Sequence, residues 1–173
     1  FNGTSGNQNI PAFAFNNLHI ENAAGITLTG NVSVNGTTAA LNFINGRINT
    51  GANTITLASN VTVVGANATN YVNGNQAWVI PSGSSVRTFV VGSSSGYAPL
   101  EFSVDGVTST TGTVTASTTG NDHPNIATSG INASLSVNRF WTLTPNGITP
   151  ATPTYDAVFT FNNPADLDPG VTV

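Results

Sequence analysis

Two histidines, seven carboxylates and three arginines are the side chains in this 173-residue sequence best suited to acid–base, ionic or metal chemistry, and cysteine and methionine are absent. A zinc site built without thiolates would need both His19 and His123 together with carboxylates. Those histidines lie far apart in the chain. The plainer reading places His19 on the outer face of a strand and His123-Pro124 in a turn. Nucleophilic catalysis has no better footing, because serine is abundant but no Gly-x-Ser-x-Gly turn is present. A glycosidase needs two placed carboxylates. Glu21, Glu101 and the aspartates show no recognisable acid–base setting. The sequence therefore predicts a protein that is not an enzyme.

Asp166-Leu167-Asp168, with Asp156, could offer the oxygen ligands that calcium takes, although the spacing is not that of an EF-hand loop. The competing reading is a solvated turn or a partner for an arginine. Arg139 precedes Phe140 and Trp141 in a predicted strand, and a buried arginine must be paired. The expectation is an ion pair from Arg139 to Asp166 or Asp168 that ties the last strands together. A surface arginine is the alternative. No cofactor is expected, and Asp156, Asp166 and Asp168 are the one candidate metal set, for calcium. Trp78, Tyr71, Tyr97 and Tyr155 could stack on sugars, but Trp78 and Trp141 are more simply core residues.

The elements that would position these groups are strands. Ile26-Thr27-Leu28-Thr29-Gly30-Asn31-Val32-Ser33-Val34-Asn35-Gly36 returns as Ile55-Thr56-Leu57-Ala58-Ser59-Asn60-Val61-Thr62-Val63-Val64-Gly65. A recurrence at this distance signals a coiled repeat architecture. Within each copy apolar residues alternate with threonine or serine, the period of a half-buried strand. Ile26, Leu28, Val32 and Val34 should face inward, as should Ile55, Leu57, Val61 and Val63. Equivalent rungs would stack Ile on Ile and Val on Val. After about residue 70 the strands lengthen and are divided by turns, which suggests an antiparallel sandwich with Trp78, Phe89, Phe102 and Trp141 in its core. The fold expected is all-β: a short β-solenoid-like N-terminal half, residues 1–70, packed on or continuing into an antiparallel β-sandwich, residues 71–173. One continuous domain is the variant of this reading.

Charged residues make up 6% of the chain, net charge is −4, and lysine is absent. Nucleic acid is not an expected partner, since phosphate binding needs clustered Lys and Arg. Membrane insertion is not expected either, because no 18-residue apolar run occurs. The Thr/Asn/Gly/Val bias points to an extracellular or cell-surface setting. Without lysine, Lys–Asn isopeptide cross-links within the chain are excluded, so cohesion must be noncovalent. The pattern at both termini reads as a processed chain or a segment of something longer.

Several strings, taken in order, resemble a recurring module of very large secreted and cell-surface proteins of the Bacteroidota. They are Phe15-Asn16-Asn17-Leu18-His19-Ile20, the 26–36 run, Asn45-Gly46-Arg47-Ile48-Asn49-Thr50-Gly51, Thr88-Phe89-Val90-Val91-Gly92, Asp122-His123-Pro124, Ser136-Val137-Asn138-Arg139-Phe140-Trp141-Thr142-Leu143 and Ala165-Asp166-Leu167-Asp168. Such proteins commonly leave the cell by the type IX route. The resemblance implies a spacer, stalk or adhesin part and no catalytic residues. The function expected is therefore an extracellular structural module of a surface protein or filament, joined through strand edges to copies of itself or to adjacent modules. Phe1 to Phe15 or Pro169 to Val173 is favoured as the linking segment. The alternative is a polysaccharide-binding module of an adhesin or secreted enzyme.

Overall fold

Alternation of apolar and small polar residues in three- to six-residue runs is what a β coil requires: one side chain in, the next out, then a corner. In the computed structural model, which describes residues 1–3, 5–108, 112–149 and 155–172, the runs close into such coils. β1 (Asn2–Gly3), β2 (Gln8–Ile10) and β3 (Phe13–Phe15) form the first. β4 (Asn17–Asn22), β5 (Ile26–Leu28) and β6 (Val32–Val34) form the second. β7 (Ala40–Asn45) and β8 (Ile48–Leu57) form the third, and β9 (Thr62–Val64) and β10 (Val72–Val79) the fourth. β1, β4, β7 and β9 make one parallel sheet. The remaining strands of the coils join a second, ten-stranded sheet, in which β8 and β10 each run through two faces.

The interior is a set of aligned columns. Ile26 lies on Ile48, which lies on Val72, and Val72 on Val91. Val32 lies on Ile55, and Val34 on Leu57, which in turn lies on Trp78. This corrects the sequence expectation that the two copies stack Ile on Ile and Val on Val. The register puts 22 residues between Ile26 and Ile48 and 23 between Val32 and Ile55. A coil is thus shorter than the spacing of the duplicated run, and the second copy sits one face further round than the first. A three-residue strand with two inward apolar side chains fits any face, so duplication did not specify which. Ile26, Leu28, Val32, Val34, Ile55, Leu57 and Val61 are buried. Val63 is only half-buried, because β9 has a ladder partner on one side, β7, and none on the other among the described residues.

Asparagines hold coil to coil at the corners. The Ala40 N–H donates to Asn17 Oδ1 at 2.9 Å and the Thr54 N–H to Asn31 Oδ1 at 3.0 Å. Asn53 Nδ2 donates to the Leu28 carbonyl at 2.9 Å, and Asn60 Nδ2 to the Gly36 carbonyl at 2.8 Å. The Gly46 N–H donates to Asn70 Oδ1 at 2.8 Å in a buried corner. Corner backbone cannot join the ladders, and these amides satisfy it. The asparagine-rich composition is in this sense a bonding pattern.

Past β10 the strands change direction. β11 (Gly83–Phe89), β14 (Leu100–Val107) and β17 (Tyr155–Phe159) form a three-stranded antiparallel sheet. β12 (Val91–Ser93) continues the parallel stack on the first residues of β10 and is followed by the short β13 (Gly96–Tyr97). β15 (Thr113–Thr119) pairs antiparallel with the later residues of β10, and β16 (Phe140–Asn146) lies outside β15. The chain is therefore all-β, with a parallel solenoid-like region running into antiparallel strands. The parallel stack extends past residue 70, since β10 and β12 belong to it, and one hydrophobic cluster runs from Ile10 to Ala116. Trp78, Phe89 and Phe102 are buried in that cluster. Trp141 is a correction to the expected core. It packs against the cluster but is only half-buried, because β16 has a ladder partner on one side, β15, and none on the other among the described residues. No α-helix occurs among the described residues, and no helix is long and apolar enough to cross a membrane.

Candidate functional site

The densest polar constellation is centred on Arg139, immediately before β16. Its side chain is fully buried. Nε donates to Asp166 Oδ2 at 2.6 Å and Nη2 to Asp166 Oδ1 at 2.7 Å, a two-pronged guanidinium–carboxylate pair. The remaining N–H groups reach the hydroxyls of Ser93 at the end of β12, of Ser95 between β12 and β13, and of Thr118 on β15. Burial pushes the Asp166 carboxyl up, but the bonds from Arg139 and from the Asn162 N–H, with the Arg139 charge, outweigh it and hold the carboxyl below its ordinary value. Asp168 does not reach Arg139. It accepts instead from Asn138 Nδ2 at 2.8 Å and from the Ser136 N–H at 2.9 Å, bonds that lower its pKa. The Ser136 hydroxyl also donates to Asp122 at 2.9 Å. Together these bonds clasp the segment around 162–168 to β12, β15 and the approach to β16.

This arrangement uses up its own chemistry. Both Asp166 oxygens are spent on Arg139, and Asp156 lies exposed on β17 opposite Ser103. The calcium set is therefore not brought together, and among the described residues no three His, Cys, Asp or Glu side chains converge. An open cleft of about 520 Å³ beside the clasp is lined by both His123 and Ser136. The Ser136 hydroxyl is directed at carboxylates, however, and His123 Nδ1 accepts from the Asn125 N–H at 3.1 Å while its ring packs edge-on against Phe140. His19 is exposed beside Asn42. Ser93, Ser95, Thr118 and Asn162 carry no sequence signal; only the chain path reveals their part.

The aromatic residues that could stack on sugars are dispersed. Tyr71 and Trp78 are buried, Trp78 donating through Nε1 to the Thr88 carbonyl at 3.0 Å and covered by Arg87. Tyr97 is half-buried against Tyr71, and Tyr155 alone is exposed, stacked on Phe102.

Strand edges are the remaining feature. β17 pairs with β14 on one side and has no partner on the other among the described residues. Tyr155 is 67% exposed on it and Val158 62%. The strand carries one exposed charge, Asp156, but no Lys, Arg, Pro or bulge, the other usual guards of a free edge. Between β14, β15 and β16 beside it lies an apolar cleft of about 280 Å³ lined by Phe102, Val114, Leu143 and Tyr155, among others. On the first coil, Phe13 aligns with Val32 and Phe15 with Val34. Phe13 is nevertheless 60% exposed, its ring 4.8 Å from that of Phe15.

No protein-family model, curated protein or solved structure matches this chain.

Proposed function

We propose that the chain is an extracellular structural module of a bacterial surface protein or filament, a stalk or adhesin building block assembled through β-strand edges with copies of itself or adjacent modules. The observation that carries this reading is β17, an exposed and largely apolar edge with Asp156 its one charge, in a fold whose densest polar cluster, around Arg139, is turned to internal cohesion. An edge of unpaired N–H and C=O groups templates another strand, and alternating side chains then set the register. Load along the chain is carried by ladders and by the Arg139–Asp166 clasp, not by covalent cross-links. The linking segments considered from sequence fare unequally. Phe1 to Phe15 already contributes paired strands of the first coil. In Pro169 to Val173, the residues up to 172 form no strand, and Val173 lies outside the described residues.

The test is sedimentation velocity and negative-stain electron microscopy of the purified chain, alone and with Val158→Lys. Concentration-dependent association or fibres in the parent, lost in the variant at unchanged unfolding midpoint, are expected. A parent that stays monomeric up to millimolar concentration refutes edge assembly by this chain.

A further inference from the structure

At the corner where the first sheet hands over to the second, successive coils place Gly25, Arg47 and Tyr71 one above another. The Ile26 N–H bonds to the Arg47 carbonyl at 2.9 Å and the Ile48 N–H to the Tyr71 carbonyl at 3.0 Å. Gly25 has φ +79°, and a Cβ there would stand 2.9 Å from the Arg47 carbonyl oxygen. Its bare backbone helps leave an open cleft of about 460 Å³, walled by Asn45, Asn49 and Thr69 and lined by Arg47 itself.

The Arg47 guanidinium lies over the Tyr71 ring, 4.6 Å from its centroid. Tyr71 is an immobile support, fully buried, with its hydroxyl donating to the Ser93 carbonyl at 2.7 Å and its ring against Tyr97. Arg47 has no carboxylate partner: the one salt bridge among the described residues joins Arg139 to Asp166. Glu21, the closest acid in sequence, accepts instead from Asn2 Nδ2 at 3.4 Å. A guanidinium over an aromatic face and without a carboxylate partner keeps N–H donors of its fork available, and a carboxylate can take two of them. The contact with the buried Tyr71 ring restrains the side chain and lowers the ordering cost of binding. Around this single cation the walls carry the Asn45 and Asn49 amides and the Thr69 hydroxyl beside Ala23 and Ala24, the complement of a ligand with one carboxylate, several hydroxyls and a carbon face.

We propose that this cleft binds a uronic acid residue of an acidic polysaccharide, with Arg47 on the carboxylate and Asn45 and Thr69 facing the ring hydroxyls. Tyr71 acts as the buttress of Arg47 and not as a stacking surface for sugar. The site is separate from β17 and does not rest on edge assembly.

The experiment is calorimetric titration of the full chain with tetragalacturonic acid, with neutral galactotetraose and a sulfated tetrasaccharide as comparison arms. Saturable binding of the uronate alone is expected, weakening as salt is raised. Arg47→Gln should weaken it at least roughly tenfold, the scale of losing a charge-assisted hydrogen bond. Asn45 is exposed, so Asn45→Asp sets a like charge in the cleft without touching the core. It should have a similar effect and carries the test if Arg47→Gln fails to fold. Absence of saturable uronate binding by the parent overturns the proposal. So does equal binding of the neutral or the sulfated sugar, or a folded Asn45→Asp chain that binds as the parent does.

Discussion

Replacing Arg139 by methionine keeps the bulk of the side chain and removes the charge that Asp166 was buried to meet. Asp166 is left 3% exposed with its Asn162 N–H bond and no cation, while the hydroxyls of Ser93, Ser95 and Thr118 lose a shared donor. Breaking a buried pair from one side costs about 3–5 kcal/mol. That is a large part of the roughly 5–15 kcal/mol by which a domain is stable. For a chain of this length the loss corresponds to a fall in Tm of roughly 6–20 °C. The sign with pH follows from the carboxyl. Its folded pKa lies below the ordinary 3.8, so the pair's contribution is full above that value and is lost as pH falls through it towards the folded pKa. In Arg139→Met the orphaned carboxyl is raised by burial and is neutralised more readily in acid. Urea unfolding of parent and variant at pH 7 and pH 3 should show a large gap at pH 7 and a smaller one at pH 3. Adding Asp166→Asn to Arg139→Met should restore much of the loss, since no buried charge then remains. A single variant within 1 kcal/mol of the parent at pH 7, or a double variant as unstable as the single, would refute the clasp as a stabilising element.

Asn70→Ala should cost about 1–3 kcal/mol in urea unfolding, because the Gly46 N–H loses its buried acceptor. Leu57→Ala, in the column between Val34 and Trp78, is expected to cost about 2–5 kcal/mol by the same assay. Gly46→Ala should give little soluble folded protein by circular dichroism, since φ is +103° there and a Cβ would overlap the Asn22 carbonyl oxygen.

Strand existence was legible because alternation is a local property. Thr27 and Ser33 between buried neighbours say which residues point inward without any knowledge of the partner strand. Register was not legible, because it belongs to the closed coil. Corners such as Gly25, Gly46 and Asn70 decide how many residues a turn consumes, and their spacing leaves no periodic trace in the hydrophobic pattern. The extent of the parallel stack was hidden for a related reason. Val72-Asn73 and Gln76-Ala77-Trp78 lie in one strand, β10, yet pair with separate stretches of β8, which a linear reading merges into a single long strand. Around Arg139 the aromatic neighbours pointed to burial and the Asp166/Asp168 run offered carboxylates. The hydroxyls completing its shell come from residues distant in the chain and indistinguishable there from surface serine. Asp168 stands close to the favoured partner in sequence but is claimed by Asn138 and Ser136.

β10 meets a parallel strand along its first residues and an antiparallel one along its last. The outer side of β15 is taken by β16, which runs against β15 and so again in the direction of β10. A further winding on that face would meet β16 and not a strand of the coil itself. The two axial ends of the winding are thus chemically unlike, one a surface of aromatic rings, the other covered on this face by the antiparallel pair β15 and β16. An array that used the axial direction would have a defined head and tail.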